Sequence, residues 1–270
     1  MLAMFFVTNT WIRRPVDILQ WKVTMGPLNI SRPRHIYGLR FTPRNSLSGH
    51  ALKSLVPLTG NCPPRHNPCV DVTIVNRSLT YLHRAKAFRL PDGSYRLPYA
   101  FPQADDYVLF VEMQPRDGPY QAYREIVNLS HCRARNCPAG RAILRGQEAV
   151  RSQYVDGLTV VLGAPVGAVD SGQPARATLI YLRGGRTALG VPPPNSMDGD
   201  AVAVSMDTYH FVRLRVDRAR SGKGIVTYTG EFDAPSIYRL WAPVPASHLR
   251  AQASFVIDVN PAPTPTPAGQ

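Results

Sequence analysis

Phe101-Pro-Gln-Ala-Asp-Asp-Tyr107-Val-Leu109-Phe110 decides how this chain folds, because it is written a second time further on. Its echo, Phe232-Asp-Ala-Pro-Ser-Ile-Tyr238-Arg-Leu240-Trp241, keeps the order Phe, five residues, Tyr, one residue, Leu, large aromatic. Phe101 and Phe232 each end one strand, and the Pro, Asp, Ala and Ser residues that follow turn the chain. Tyr-x-Leu then sends alternate side chains to the buried face of the returning strand. An isolated hairpin is marginal in water, so each copy needs a sheet around it. The repeat predicts an all-β chain of two tandem antiparallel β-sandwich modules, immunoglobulin-like or cupredoxin-like.

The flanking sequence carries the same pattern. Val70-Asp-Val-Thr-Ile-Val75 is a β-branched run, and 35–42 alternates between two faces. In the second half 158–162, 175–182, 201–204, 211–216, 225–232 and 254–259 read as strands, with Arg183-Gly-Gly-Arg186 and Ser221-Gly-Lys-Gly224 as turns between them. Helical periodicity is nearly absent. The chain divides into an N-terminal arm over 1–25, a first module over 26–130 and a linker over 131–155. A second module over 156–260 and a proline-rich tail over 261–270 follow.

At 270 residues, 44% hydrophobic and 18% charged, the chain suits two ordinary domains and is neither disordered nor membrane-spanning in composition. No stretch approaches the 18 apolar residues of a transmembrane helix. The net charge of +13 is uneven: residues 1–150 hold 20 basic and 9 acidic residues (+11), and 151–270 hold 11 and 9 (+2). A basic domain can meet nucleic acid or an anionic surface. These arginines are scattered along strands and loops without interleaved aromatics, so they read as a solvated surface. A protein or cell-envelope component is the expected partner, in place of nucleic acid.

Cysteines fall in two close pairs, Cys62/Cys69 and Cys132/Cys137, in proline-containing loops. Local disulfides in an oxidising compartment are expected, although four cysteines allow about three pairings. The rival is a zinc site using these thiolates with His66 or His131. Gaps of six and four residues, with proline beside Cys62 and Cys137, fit structural zinc less well. The start, Met1-Leu-Ala-Met-Phe-Phe-Val, lacks a basic lead-in and is a poor secretory signal. The cysteines favour export and this N-terminus does not.

A second echo sets Val75-Asn-Arg-Ser78-Leu-Thr-Tyr81-Leu-His83 against Val204-Ser-Met-Asp207-Thr-Tyr209-His210, with small gaps. In both, a strand ends in Ser or Asp, then Tyr, then His. Here the chain resembles a family of bacterial exported proteins with two sandwich repeats. Those repeats run strand, acidic residue, aromatic, a His-x-His-Pro-like segment, an Asp-Gly turn, and Phe-Pro-x-x-Gly-x-Tyr-x-Leu-Phe. The resemblance covers about residues 70–113 and 156–258, and it implies a periplasmic or secreted protein. In that family the paired histidines suggest copper or another soft metal. In this chain His83 is followed by Arg84-Ala85-Lys86 and His210 by Phe211-Val212-Arg213, so each repeat keeps one histidine. One imidazole is a poor metal site unless partners converge from elsewhere.

Other chemistry finds little support. Gly-x-Ser-x-Gly elbows and phosphate-cradling loops are missing from the sequence. The acid pairs Asp105-Asp106 and Asp198/Asp200 read as turn residues that bond locally. Asn29, Asn76 and Asn128 head Asn-x-Ser matches short enough to arise by chance. The leading expectation is a non-enzymatic, exported binding or structural protein of the cell envelope, without a cofactor. The alternative is a periplasmic copper or zinc protein using His83, His210 and His66 with the cysteines.

Overall fold

The computed structural model describes residues 19–21, 24–25, 36–45, 55–56, 69–103, 105–115, 120–129, 150–163, 169–191, 199–244 and 251–263. The first half forms β1 (Leu19–Trp21), β2 (Thr24–Met25), β3 (Ile36–Phe41), β4 (Pro43–Asn45), β5 (Leu55–Val56), β6 (Cys69–Asn76), β7 (Leu82–Arg89), β8 (Tyr95–Ala100), β9 (Asp106–Pro115) and β10 (Gln121–Asn128). The second half forms β11 (Ser152–Val155), β12 (Leu158–Leu162), β13 (Val169–Asp170), β14 (Pro174–Arg183), β15 (Arg186–Thr187), β16 (Ala201–Ser205), β17 (Phe211–Val216), β18 (Ile225–Glu231), β19 (Ser236–Pro243) and β20 (Gln252–Asn260). No α-helix occurs among the described residues, and none there is long and apolar enough to cross a membrane.

The two halves share one strand order. The first sheet runs β10-β9-β6-β7-β8-β3-β2, and the second runs β20-β19-β16-β17-β18-β14-β12-β11 when read from the same side, with β13 added outside β20. Both turn their corner with one strand. β7 pairs with β6 over Leu82–Phe88 and reaches β8 only through Phe88 and Arg89. β17 likewise pairs with β16 over Phe211–Leu214 and with β18 through Arg215 and Val216. Each module is thus a sandwich whose two layers form one curled sheet, as the duplicated hairpin predicts.

The repeated hairpin supplies the same fastening in both copies. The Phe101 and Tyr107 rings lie 4.7 Å apart and those of Phe232 and Tyr238 lie 4.8 Å apart. Tyr107 Oη donates to the carbonyl of Gln103 at 3.1 Å, and Tyr238 Oη to that of Ala234 at 2.9 Å. Burial pushes the Tyr107 hydroxyl up to about 12. A buried phenol that finds a carbonyl four residues back pins the turn while its ring fills the core.

Three elements differ from the sequence reading. Residues 1–25 contain β1 and β2, which pair with β4 and β3, so part of the expected arm belongs to sheets. Between the strands expected at 35–42 and 70–75 the structure places β4 and β5. The expected linker over 131–155 ends in β11, which pairs with β12. Strands of two to four residues carry too few positions to show a period. In the second module β11 also nears β20: the Gln153 side-chain amide donates to the Ser254 carbonyl and accepts from Ser254 N at 2.9 Å, so one side chain stands in for a strand at the open edge.

Cys69, 3% exposed at the start of β6, is disulfide-bonded. Cys62, Cys132, Cys137 and His66 lie outside the described residues.

Candidate functional site

A sandwich strand normally shows one face to the core and one to water. Every residue of β6 and of β16 is buried. In β6, Val70, Val72 and Ile74 enter the core of the first module, while Val75 joins a separate cluster with Leu79, Val108 and Phe110 from that module and Val202, Val204, Trp241 and Val256 from the second. The two modules therefore pack face to face, β6 and β9 against β16, β19 and β20. Phe110 and Phe211 stack across the seam at 4.8 Å and 25°.

Charge is buried at the same seam. Register places Glu112, Asp71 and Lys86 directly opposite one another on β9, β6 and β7. From the second module, Arg213 Nη1 donates to Glu112 Oε2 at 2.8 Å and lies 3.6 Å from Asp71 Oδ2, while its Nε donates to Asp200 Oδ2 at 3.1 Å. Side-chain exposure is 3% for Arg213, 0% for Glu112, 7% for Asp200 and 9% for Asp71. Burial alone lowers the guanidinium's affinity for its proton, but Glu112, Asp200 and Asp71 hold it charged, above its ordinary range. Neutral donors meet the other oxygens of Glu112 and Asp200, while Asp71 Oδ2 accepts no hydrogen bond among the described residues. Tyr120 Oη donates to Glu112 Oε2 at 2.8 Å, Thr73 Oγ1 to Glu112 Oε1 at 3.3 Å and Val216 N to Asp200 Oδ1 at 3.2 Å. Burial and the Glu112 charge push the Tyr120 phenol far above its ordinary value. Lys86 Nζ stands 3.4 Å from Asp71 Oδ1.

Two more arginines cross the seam. Arg84 Nη1 donates to the Asp200 carbonyl at 2.9 Å. Arg124 Nε donates to the Thr208 carbonyl at 2.6 Å and lies 4.3 Å over the Tyr209 ring, a cation–π contact. Beside the charged cluster is a cavity of about 960 Å³, with His83, Arg84 and Lys86 on one side and Trp241, Gln252 and Ser254 on the other.

The candidate histidines occupy separate places. His83 is exposed on β7 and tilts over the Tyr99 ring at 5.2 Å, and Tyr99 shares a hydroxyl hydrogen bond with Tyr81. His210 Nδ1 stands 3.2 Å from Asp233 Oδ2. Among the described residues, no three His, Cys, Asp or Glu side chains are gathered as metal ligands.

The gapped alignment of the two histidines is corrected by the turns that carry them. Asn76 N donates to the Tyr81 carbonyl at 3.3 Å, and Ser205 N to the His210 carbonyl at 3.0 Å, closing the two turns. Leu79 and Thr208, both buried, take φ of 55° and 62° at matching points. Strand register also pairs Val75 with Leu82 and Val204 with Phe211. The ungapped match therefore equates Tyr81 with His210 and His83 with Val212. Each turn is capped by its own oxygen: Asn76 Oδ1 accepts from Thr80 N and Tyr81 N, both at 2.9 Å, and Ser205 Oγ from His210 N at 2.9 Å. Backbone closure decides the correspondence, and residue identity does not follow it.

Asp200 is the second correction, since it turns inward to Arg213 instead of bonding within a turn. Arg213, Glu112 and Asp71 were not among the expected site residues. Glu112 and Arg213 each stand as a single charge in an apolar run, Val108-Leu-Phe-Val-Glu-Met113 and Phe211-Val-Arg-Leu214, a pattern that a solvated outer face also gives.

No family model and no curated protein sequence matches the chain. Solved structures similar to it include the surface-layer protein SbsC, domains 1–6, at 11% identity and TM-score 0.28, covering 92% of this chain and 28% of that one. The Escherichia coli adhesin FdeC is 12% identical with TM-score 0.27, covering 90% of this chain and 66% of that one. A Salmonella alpha-2-macroglobulin mutant is 12% identical with TM-score 0.25, covering 97% and 16%. The chain thus spans about a quarter of the surface-layer protein and just under two thirds of the adhesin. At this identity the likeness extends to the β-rich build and no further.

Proposed function

We propose that the chain is a non-enzymatic binding or structural protein of the cell envelope, in which two sandwich modules act as one rigid body. The observation that carries this reading is the commitment of the Arg213 cluster to the seam. A cluster of buried, perturbed ionisable groups is the usual mark of a catalytic centre. Here Glu112 is fully buried, with Oε1 held by Thr73 and Oε2 by Tyr120 and by Arg213 of the other module, so both oxygens are occupied and one of them joins the modules. A seam with a core-like apolar cluster and a buried charge network keeps two modules from flexing at a linker. That suits a protein that transmits position or load. The disulfide at Cys69 suits an oxidising compartment.

Co-sedimentation with purified bacterial envelope fragments and with peptidoglycan sacculi tests the reading. Saturable recovery in the pellet is expected. Protein left in the supernatant with both preparations, together with stoichiometric copper or zinc by elemental analysis, would overturn it in favour of metal handling.

A further inference from the structure

The layer of the second module formed by β11, β12, β14, β15 and β18 turns a face outward whose composition is unlike the rest of the molecule. Core positions alternate along these strands, with Leu158, Val160 and Leu162 inward on β12 and Ala175, Ala177, Leu179 and Tyr181 inward on β14. The residues between them point away from the core. Register lines these up in rows. Val161, Ile180 and Ile225 form one row, and Tyr154, Thr159 and Leu182 form the next. A further row is Arg176, Thr229 and Arg215. Exposure rises toward one end: Ile225 is 36% exposed, Leu189 beside β15 is 64% and Tyr154 is 78%.

The charge of this layer is one-sided. Segments 151–163, 174–191 and 215–231 hold eight arginines and lysines against three acids, a balance of +5. The remainder of 151–270 holds three basic and six acidic residues, a balance of −3. All eight of the layer's cations are exposed. The small excess of the second half thus hides a polarised module, with its positive charge on the layer whose outward face carries Arg176, Arg215 and exposed aliphatic and tyrosine side chains.

We infer that this face docks on an anionic phospholipid surface, Arg176 and Arg215 meeting headgroup phosphates while Tyr154, Leu189 and Ile225 enter the interface. The chemistry selects that partner. Tyrosine and aliphatic side chains rimmed by arginine are the set that settles at a bilayer boundary, where a ring needs one wet end and cations meet phosphate. A soluble polyanion gives the aliphatic side chains nothing to enter. Face-to-face pairing of two copies is disfavoured, since two faces of +5 repel, as does this face against a first half of +11. The partner deepens the envelope reading and rests on it for its setting.

Vesicle flotation tests the inference, using phosphatidylcholine vesicles with and without about a third phosphatidylglycerol. Binding is expected only to the anionic vesicles and is lost in high salt, because the attraction acts within a Debye length. Arg176→Glu with Arg215→Glu should weaken it by at least about fivefold per site. Tyr154→Ser with Ile225→Ser should weaken it while leaving the salt dependence in place. All four positions are exposed, and a cooperative unfolding transition in each variant confirms its fold. Absence of binding, equal binding to neutral vesicles, or equal competition by soluble polyphosphate for the Tyr154/Ile225 variant and the parent overturns it. Envelope sedimentation without vesicle binding overturns this docking face alone, and loss of both overturns the envelope reading as well.

Discussion

Replacing Arg213 with alanine removes the cation that, among the described residues, reaches Glu112, Asp71 and Asp200 together. Asp71 keeps Lys86 at 3.4 Å and Asp200 keeps Val216 N at 3.2 Å, but Glu112, with no exposed surface, keeps only the neutral donors Tyr120 and Thr73. Breaking a buried pair by deleting one partner costs about 3–5 kcal/mol, because the charge left behind stays desolvated. For a chain of this size that corresponds to a fall in melting temperature of roughly 10 °C. The assay is urea unfolding followed by tryptophan fluorescence and far-ultraviolet circular dichroism. Trp241, 6% exposed in the shared cluster, reports on the seam, and dichroism reports on the sheets. Fluorescence in the variant is expected to change at lower urea than dichroism, as the modules part before they unfold. Arg213→Met with Glu112→Met should recover much of the loss, since apolar replacement of a buried pair is often neutral. A cost under about 1 kcal/mol for Arg213→Ala, with coincident transitions, would refute the claim that this cluster locks the modules.

Further outcomes follow from the repeated elements. Tyr107→Phe and Tyr238→Phe each forfeit one phenol-to-carbonyl bond, and each should cost about 1 kcal/mol in chemical denaturation; a large asymmetry between them would argue against equivalent corners. Asn76 is 1% exposed, with its amide donating to Ser78, Thr80 and Asp105, so Asn76→Ala should cost about 2–3 kcal/mol, and glycan mapping after secretion from a glycosylating host should find Asn76 bare. Burial raises the phenols of Tyr95, Tyr99, Tyr107, Tyr120, Tyr181, Tyr228 and Tyr238. Groups whose folded values are raised give stability that is whole below pH 10 and is lost as pH climbs toward the folded values, about 12 for Tyr107. Absorbance at 295 nm should therefore rise in a second step that coincides with unfolding, and full ionisation in the folded protein by pH 11 would contradict it.

The Asp207 turn offers an acid-side counterpart. Burial raises its carboxyl, but the Ser205 hydroxyl, Tyr209 N and His210 outweigh that and bring it below the ordinary aspartate value. Its folded value is depressed, so its contribution is present near neutrality and disappears as pH falls below about 4. Asp207→Asn should flatten stability against pH in that window, as read by thermal melts at closely spaced pH values.

How much of this was legible in the chain depends on the range of the interaction. The Phe–Tyr hairpins could be read because a tyrosine corner is closed within about six residues, and the same local geometry demands the same local spacing twice. The Asn76 and Ser205 turns were harder: they share a backbone shape that Asn and Ser oxygens both cap, so the side chains drifted and a gapped match on histidine misled. The seam was illegible for a different reason. Arg213 alternates with Val212 and Leu214 as a solvated residue on a half-exposed strand would. Only the second module's approach to β6 and β9 turns that outer face into an interior, and sequence patterns report on a strand's own sheet, not on what later covers it.

Glu112 and Arg213 are separated by 101 positions in the chain. During synthesis the first module therefore emerges with its Val75, Val108 and Phe110 face open to water and its carboxylates waiting on a cation not yet made. At ribosomal speeds of about 5–20 residues per second that wait lasts on the order of ten seconds. Nascent chains stalled between the two modules should accordingly draw on chaperones, and arrest peptides placed at increasing distances after Asn260 should register the moment the second half closes over the first.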